Sequence, residues 1–111
     1  MRIQITARHC NVPDTLLRRT EEQIQKLSRY DPRVGSAEVT YTEEKRSRKA
    51  EVVLHIHGAE PVVAHAEERE FRSALDKAID RITRMLKRER QQHRDHWAPP
   101  LPVGTREPEP S

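Results

Sequence analysis

Residues 50–86 read AEVVLHIHGAEPVVAHAEEREFRSALDKAIDRITRML, and the spacing of their apolar side chains changes once along the way. Ala50, Val52, Leu54 and Ile56 alternate with Glu51, Val53, His55 and His57, the period of a half-buried strand. Gly58-Ala59-Glu60-Pro61 turns the chain into a short second strand, Val62 to Ala66. From Glu70 onward Phe71, Leu75, Ala78, Ile79, Ile82, Met85 and Leu86 recur at helical spacing, the strongest amphipathic pattern in the sequence. A strand pair feeding a long helix therefore closes the domain.

Working outward, Ala37, Val39 and Tyr41 alternate with Glu38, Thr40 and Thr42 as a further strand, joined to the strand at 50–56 by the charged loop 43–49. At the start, Ile3, Ile5 and Ala7 alternate with Gln4, Thr6 and Arg8. Between these strands Pro13-Asp14 opens a helix carrying Leu16, Leu17, Ile24 and Leu27, with Tyr30 near its end and Pro32 beyond. A helix connecting the first two strands implies a right-handed crossover with those strands parallel. The expected fold is α+β, in the order β-α-β-β-β-α, with a four-stranded sheet and two helices on one face. The other sheet face is left to solvent or to a partner.

Composition fits one lean domain. Leu, Ile, Val and Phe make up 22 of the 111 residues, near the limit below which chains stay disordered. The balance of 21 basic against 18 acidic residues argues for folding, because disordered chains combine low hydrophobicity with a large net charge. Apolar runs reach three residues, as at Val52-Val53-Leu54, far short of a membrane span. The N-terminus has no apolar core of a signal peptide, so the cytoplasm is the expected compartment. The single Cys10 makes neither an intrachain disulfide nor a cysteine-based zinc site. Five of the eight prolines lie in residues 97–111, which are expected to form an extended tail or partial linker after a domain at 1–96.

The charge is informative in its distribution. Lys77, Arg81, Arg84 and Arg88 fall on one stripe of the second helix, with Lys87, Arg90 and Arg94 beside it and Glu89 as the local acid. The loop contributes Lys45, Arg46, Arg48 and Lys49, and the end of the first helix Lys26 and Arg29. Like charges so placed repel unless an anion neutralises them, and a phosphate backbone would satisfy all three groups. A helix dipole or plain solvation accounts for any one cluster alone. The aromatic residues are Tyr30, Tyr41, Phe71 and Trp97, and the first three have expected core or near-core roles, which favours structured RNA read by shape over single strands.

Other chemistry finds little support. His55 and His57 share a strand face, with His65 expected on the adjacent strand, but no nearby carboxylate completes a metal site. Asp76 and Asp80 are expected to pair with Arg72, Lys77 or Arg84. Neither a catalytic constellation nor a cofactor motif is evident. A rival reading is a protein-interaction regulator of a transcription or stress factor that uses the open sheet face and its histidines.

Three segments carry a resemblance: Lys26-Leu27-Ser28-Arg29-Tyr30 closing the first helix, Lys49-Ala50-Glu51-Val52-Val53-Leu54-His55 opening the third strand, and Ala74 to Ile82 followed by Met85-Leu86-Lys87-Arg88. In this order and spacing, over residues 1 to 94, the chain resembles the ribosome hibernation factor family, ribosome-associated inhibitors also described as modulators of the sigma-54 factor. The resemblance implies a fold similar to a double-stranded RNA-binding domain with an extra strand. It also implies a non-enzymatic protein, without cofactor or small-molecule substrate, that occupies the decoding and tRNA sites of the small ribosomal subunit and stabilises idle ribosomes. Ribosomal RNA contacts would then fall on Lys26, Arg29, Lys45, Arg46, Arg48, Lys49, Lys77, Arg81, Arg84, Lys87, Arg88 and Arg90, in a protein expected to be monomeric by itself. Two departures stand out: Val12-Pro13-Asp14 replaces the family's hydroxyl cap, and a proline-rich segment stands where long members continue to a second domain. The resemblance is thus to a short member or to the first domain of a long one.

Overall fold

The computed structural model describes residues 1–97, with side chains through Gln92. The expected tail at 97–111 lies outside the described residues, except for Trp97, which ends the last helix. The order is β1 (Arg2–Arg8), α1 (Asp14–Tyr30), β2 (Val34–Glu43), β3 (Arg48–Ile56), β4 (Val62–Glu68) and α2 (Phe71–Trp97). The sheet runs β1-β2-β3-β4, with β1 parallel to β2 and the other pairs antiparallel. The expected α+β fold, with its first two strands parallel, is what is found.

Register explains how few apolar residues suffice. Ile3, Ala37, Leu54 and Val62 stand in one row across the sheet, Ile5, Val39, Val52 and Ala64 in the next, and Ala7, Tyr41, Ala50 and Ala66 in a third. Leu16, Ile24 and Leu27 from α1, and Ala74, Leu75, Ala78, Ile82 and Leu86 from α2, cover these rows as one core. Alanines in the sheet let the helices approach closely, so leucine and isoleucine on the helices fill the layer between. Each such side chain, fully buried, contributes about 1.5–3 kcal/mol. The opposite face presents Gln4, Glu38, Val53 and Val63 in one row and Thr6, Thr40, Glu51 and His65 in another.

Two polar groups are sealed inside this core. Tyr41 is fully buried, and its hydroxyl lies 2.6 Å from Thr20 Oγ1. Thr20 spends its one hydroxyl proton on Leu16 O at 2.7 Å, so Tyr41 is the donor to Thr20. Burial pushes the Tyr41 phenol up to about 12. Thr20 is fully buried like Tyr41, and Asp31, the residue after α1, is a third buried polar side chain.

The strands are longer than the alternation alone predicts. The expected loop at 43–49 shrinks to residues 44–47, because Glu43 and Arg48 pair across the hairpin, with Arg48 Nη2 3.3 Å from the Glu43 carboxylate. The Arg48 guanidinium also lies over the Phe71 ring, 5.8 Å from its centroid. Lys49 takes a strand position on the open face opposite Thr42 and Glu67. The turn after β3 needs Gly58, whose φ of 81° a side chain would strain. α1 starts without a side-chain cap; the Pro13 carbonyl accepts instead from the amides of Leu16 and Leu17, both at 3.0 Å.

Candidate nucleic-acid interface

β4 and α2 together build one cationic edge. Among the described residues β4 has no strand beyond it, and α2, packed on β3 and β4, runs alongside. Between them lies a groove of about 380 Å³, with Val63, His65 and Met85 on its walls and Arg81, Arg84 and Arg88 along its rim. Arg81 Nη1 donates to the His65 carbonyl at 2.6 Å, which satisfies one of the acceptors that an edge strand leaves open. Lys77 pairs with Glu68 at 2.8 Å, and Arg84 with Asp80 at 2.9 Å one helical turn away. All four partners of these two pairs are solvent-accessible, and such pairs contribute at most about 1 kcal/mol, so a phosphate can displace them. Lys87 and Arg88 are exposed and make no ion pair among the described residues.

A second group forms where the helices end. α1 follows the end of β1 and α2 the end of β4, both beside the β2–β3 hairpin, so the two helices run in the same direction. The end of α1 meets α2 about two turns before Trp97: Arg90 Nη1 of α2 donates to Tyr30 O of α1 at 2.7 Å, and its guanidinium lies over the Tyr30 ring, 4.9 Å from the centroid. Lys26 and Arg29 are exposed beside it. Underneath, Arg33 spans the junction, donating to Asp31 Oδ2 at 2.8 Å and to Glu89 Oε1 at 2.5 Å. Two carboxylates hold that guanidinium well above its usual range, whereas its hydrogen bond lowers the Asp31 carboxyl.

The hairpin cations stand apart from this group. Lys45 and Arg46 are exposed at the tip, at the opposite end of the ten-residue β2 from Tyr30 and Arg90. At about 3.3 Å per residue that separation is roughly 30 Å. An RNA that touches both must be extended over at least that distance; no single phosphate group serves both. Of the twelve cations singled out from the sequence, the eight on the helices line one side of the domain, and the four of the hairpin lie at the end where both helices begin.

Several contacts were not foreseeable. Asp80 does pair with Arg84, but Asp76 receives two hydrogen bonds from Arg19 of α1, at 3.0 and 3.1 Å, and ties the helices together. Tyr30, expected near the core, is 40 % exposed. The three histidines do not converge: His55 pairs with Glu38 at 2.7 Å, His65 stands opposite Glu51, and His57 lies beyond the end of β3. Among the described residues no group of three or more His, Cys, Asp or Glu is placed to hold a metal ion, and no helix is long and apolar enough to cross a membrane. Arg94 lies outside the residues whose side chains are described.

Fold and charge together define a small α+β domain with a row of exposed cations along its helical side. The chain belongs to the sigma 54 modulation protein / S30EA ribosomal protein family, whose model matches residues 3–94. A ribosome hibernation promoting factor of Azotobacter vinelandii is 38% identical over 86 residues, covering 78% of this chain and 79% of its own length. That of Escherichia coli K12 is 26% identical over 96 residues, covering 86% of this chain and all of its own. Among solved structures, the N-terminal domain of Thermus thermophilus Protein Y aligns with a TM-score of 0.72 at 25% identity, over 79% of this chain and 98% of that one. A ribosomal subunit interface protein of Coxiella burnetii aligns at 0.76 with 15% identity, over 82% and 99%, a likeness of fold. This is a family of ribosome-associated hibernation factors, and they are not enzymes.

Proposed function

We propose that residues 1–96 bind the small ribosomal subunit in the region of the decoding and tRNA sites, and that the domain's volume excludes tRNA and message. Idle ribosomes are preserved in this state, in the cytoplasm, by a protein that is monomeric when free. The observation that carries this reading is the row Lys77, Arg81, Arg84 and Arg88, exposed along the edge formed by α2 and β4. Seven further cations extend it: Lys87 and Arg90 on the neighbouring stripe of α2, Lys26 and Arg29 near the end of α1, and Lys45, Arg46 and Lys49 at the hairpin. Arg48 joins them by exchanging Glu43 for a phosphate. Affinity then comes chiefly from counterion release and falls steeply with salt.

Sedimentation with purified ribosomal particles through sucrose gradients at low and high salt tests the proposal, alongside translation in a cell-free extract. The expected result is co-migration with the small subunit or whole ribosome that is lost at high salt, together with inhibition of translation. An Arg81→Glu/Arg84→Glu/Arg88→Glu variant should lose both. Undiminished ribosome binding by that variant would refute the assignment of the site. A protein that stays at the top of the gradient at low salt would refute the ribosome as target and bring forward a protein partner on the open sheet face.

A further inference from the structure

Tyr30 is an aromatic ring that the core does not use. It ends α1 with 40 % of its surface exposed, and it belongs neither to the buried core nor to the half-buried apolar residues packed against it. The exposed large apolar side chains among the described residues are Met1, Tyr30 and Val63, of which only Tyr30 is aromatic. The fold nonetheless holds it firmly: Arg90 bonds its carbonyl at 2.7 Å and lies over its ring, while Arg33 locks Glu89, the neighbour of Arg90, onto Asp31. Lys26 is one turn before Tyr30 on the same face of α1, and Lys87 is one turn before Arg90 on α2. An exposed ring fixed among four cations has the composition of a site for a nucleobase flanked by its phosphates.

We propose that Tyr30, with Arg90 as its positioning residue, is a stacking platform for one unpaired RNA base, whose neighbouring phosphates are held by Lys26, Arg29 and Lys87. This rests on the ribosomal reading above and deepens it: the cationic edge grips backbone, and the helix ends take a base out of a loop or strand terminus. Asp31 and Glu89 are the acids bonded into this junction among the described residues; both are tied to Arg33, and Asp31 is buried. The site therefore selects a polyanion over an acidic peptide by geometry as well as charge, since a flat ring offers a base face its preferred contact.

The test compares wild type with Tyr30→Leu, Tyr30→Trp and Arg90→Gln, using purified small ribosomal subunits, in binding titrations at several salt concentrations and in base-specific and backbone chemical footprinting. Tyr30→Leu should weaken binding roughly 5- to 150-fold, the range expected for one lost stack. Because the ring carries no charge, the log–log salt slope should not change with Tyr30→Leu, and Arg90→Gln, which frees the ring, should weaken binding and expose the same base. Tyr30→Trp should bind at least as tightly as wild type. One base protected by wild type should become reactive with Tyr30→Leu while backbone protection elsewhere persists. Thermal melts of the free Tyr30 variants should match wild type, since the ring is outside the core. Equal binding by wild type and Tyr30→Leu, or a loss without any change in base protection, overturns the stacking site and leaves the ribosomal reading standing. Failure of wild type itself to bind overturns both.

Discussion

Arg33 donates from Nη2 to Asp31 Oδ2 at 2.8 Å, and the carboxylate that accepts has only 2 % of its side chain exposed. Asp31 also takes the amide and Nε of Arg33 at 3.1 Å each, and its own amide closes α1 on Leu27 O at 2.9 Å. The same guanidinium reaches Glu89 of α2. One side chain thus fixes the end of α1, the entry to β2 and the middle of α2.

Removing that side chain strands a buried charge. Arg33→Ala should cost about 3 kcal/mol, because it deletes one partner of a buried pair without replacing it. In a domain of this size the melting temperature should fall by more than about 10 °C. Calorimetry or urea unfolding checks this, and a loss under about 1 kcal/mol would show that the bridge is incidental.

The same pair sets an acid limit. Hydrogen bonding from Arg33, above all, holds the Asp31 carboxyl below its ordinary value, against the opposing effect of burial. A lowered folded pKa means that this stability is fully present above about pH 4, where the unfolded chain's aspartates titrate, and is lost as pH falls through the folded value. Wild type should lose stability below about pH 4. Asp31→Asn should be less stable at neutral pH and show a shallower acid limb, measured as urea midpoints between pH 2 and 6.

An alkaline counterpart lies in the core. Tyr41 is held neutral by burial, with its phenol raised to about 12, so its contribution is complete below about pH 10 and is lost as pH rises toward 12. Tyr41→Phe should flatten the alkaline limb, at a cost near 1 kcal/mol at neutral pH. Thr20→Val, which leaves the phenol without its acceptor, should cost about 1–3 kcal/mol. Unfolding midpoints between pH 8 and 11.5 separate the two variants.

These junctions mark where the sequence stops being legible. The strand alternation of residues 3–7, 37–42 and 50–56 and the helical stripe from Phe71 to Leu86 are local, so they read directly into β1, β2, β3 and α2. Thr20 sits in the apolar stripe of α1, but a hydroxyl in such a stripe reveals itself only when Tyr41 arrives from β2 to donate to it. Arg33 and Glu89 are 56 residues apart and Arg19 and Asp76 are 57 apart; such pairs exist only once the helices are laid side by side. Arg48 and Lys49 read as loop because the run 43–49 is too charged to be buried. Cross-strand pairing with Glu43 and stacking on Phe71 make the position tolerable. The cations themselves were legible as clusters, and their division between the helical side and a hairpin tip roughly 30 Å from the helix ends followed only from topology.

Asp80 offers the sharpest test of whether the row on α2 is a phosphate site or a solvated face. It bonds Arg84 at 2.9 Å across one turn, in a pair whose partners are 60 % and 73 % exposed, so the pair adds little to stability. On a solvated face, Asp80→Asn should change nothing but a slight loss of helix stability. On an RNA-binding face the carboxylate is a competitor: it occupies Arg84 and repels incoming phosphates. Asp80→Asn should then tighten ribosome binding a few-fold at low salt, with the advantage shrinking as salt screens the charge, and leave the melting temperature within about 2 °C of wild type. Arg88→Ala, which removes a cation with no ion-pair partner among the described residues, should weaken binding and lower the salt slope by about 1 while leaving the fold untouched. Opposite shifts in affinity from two neutralising substitutions within two turns of one helix are what a phosphate site requires, and equal affinities for both variants and wild type would remove α2 from the interface.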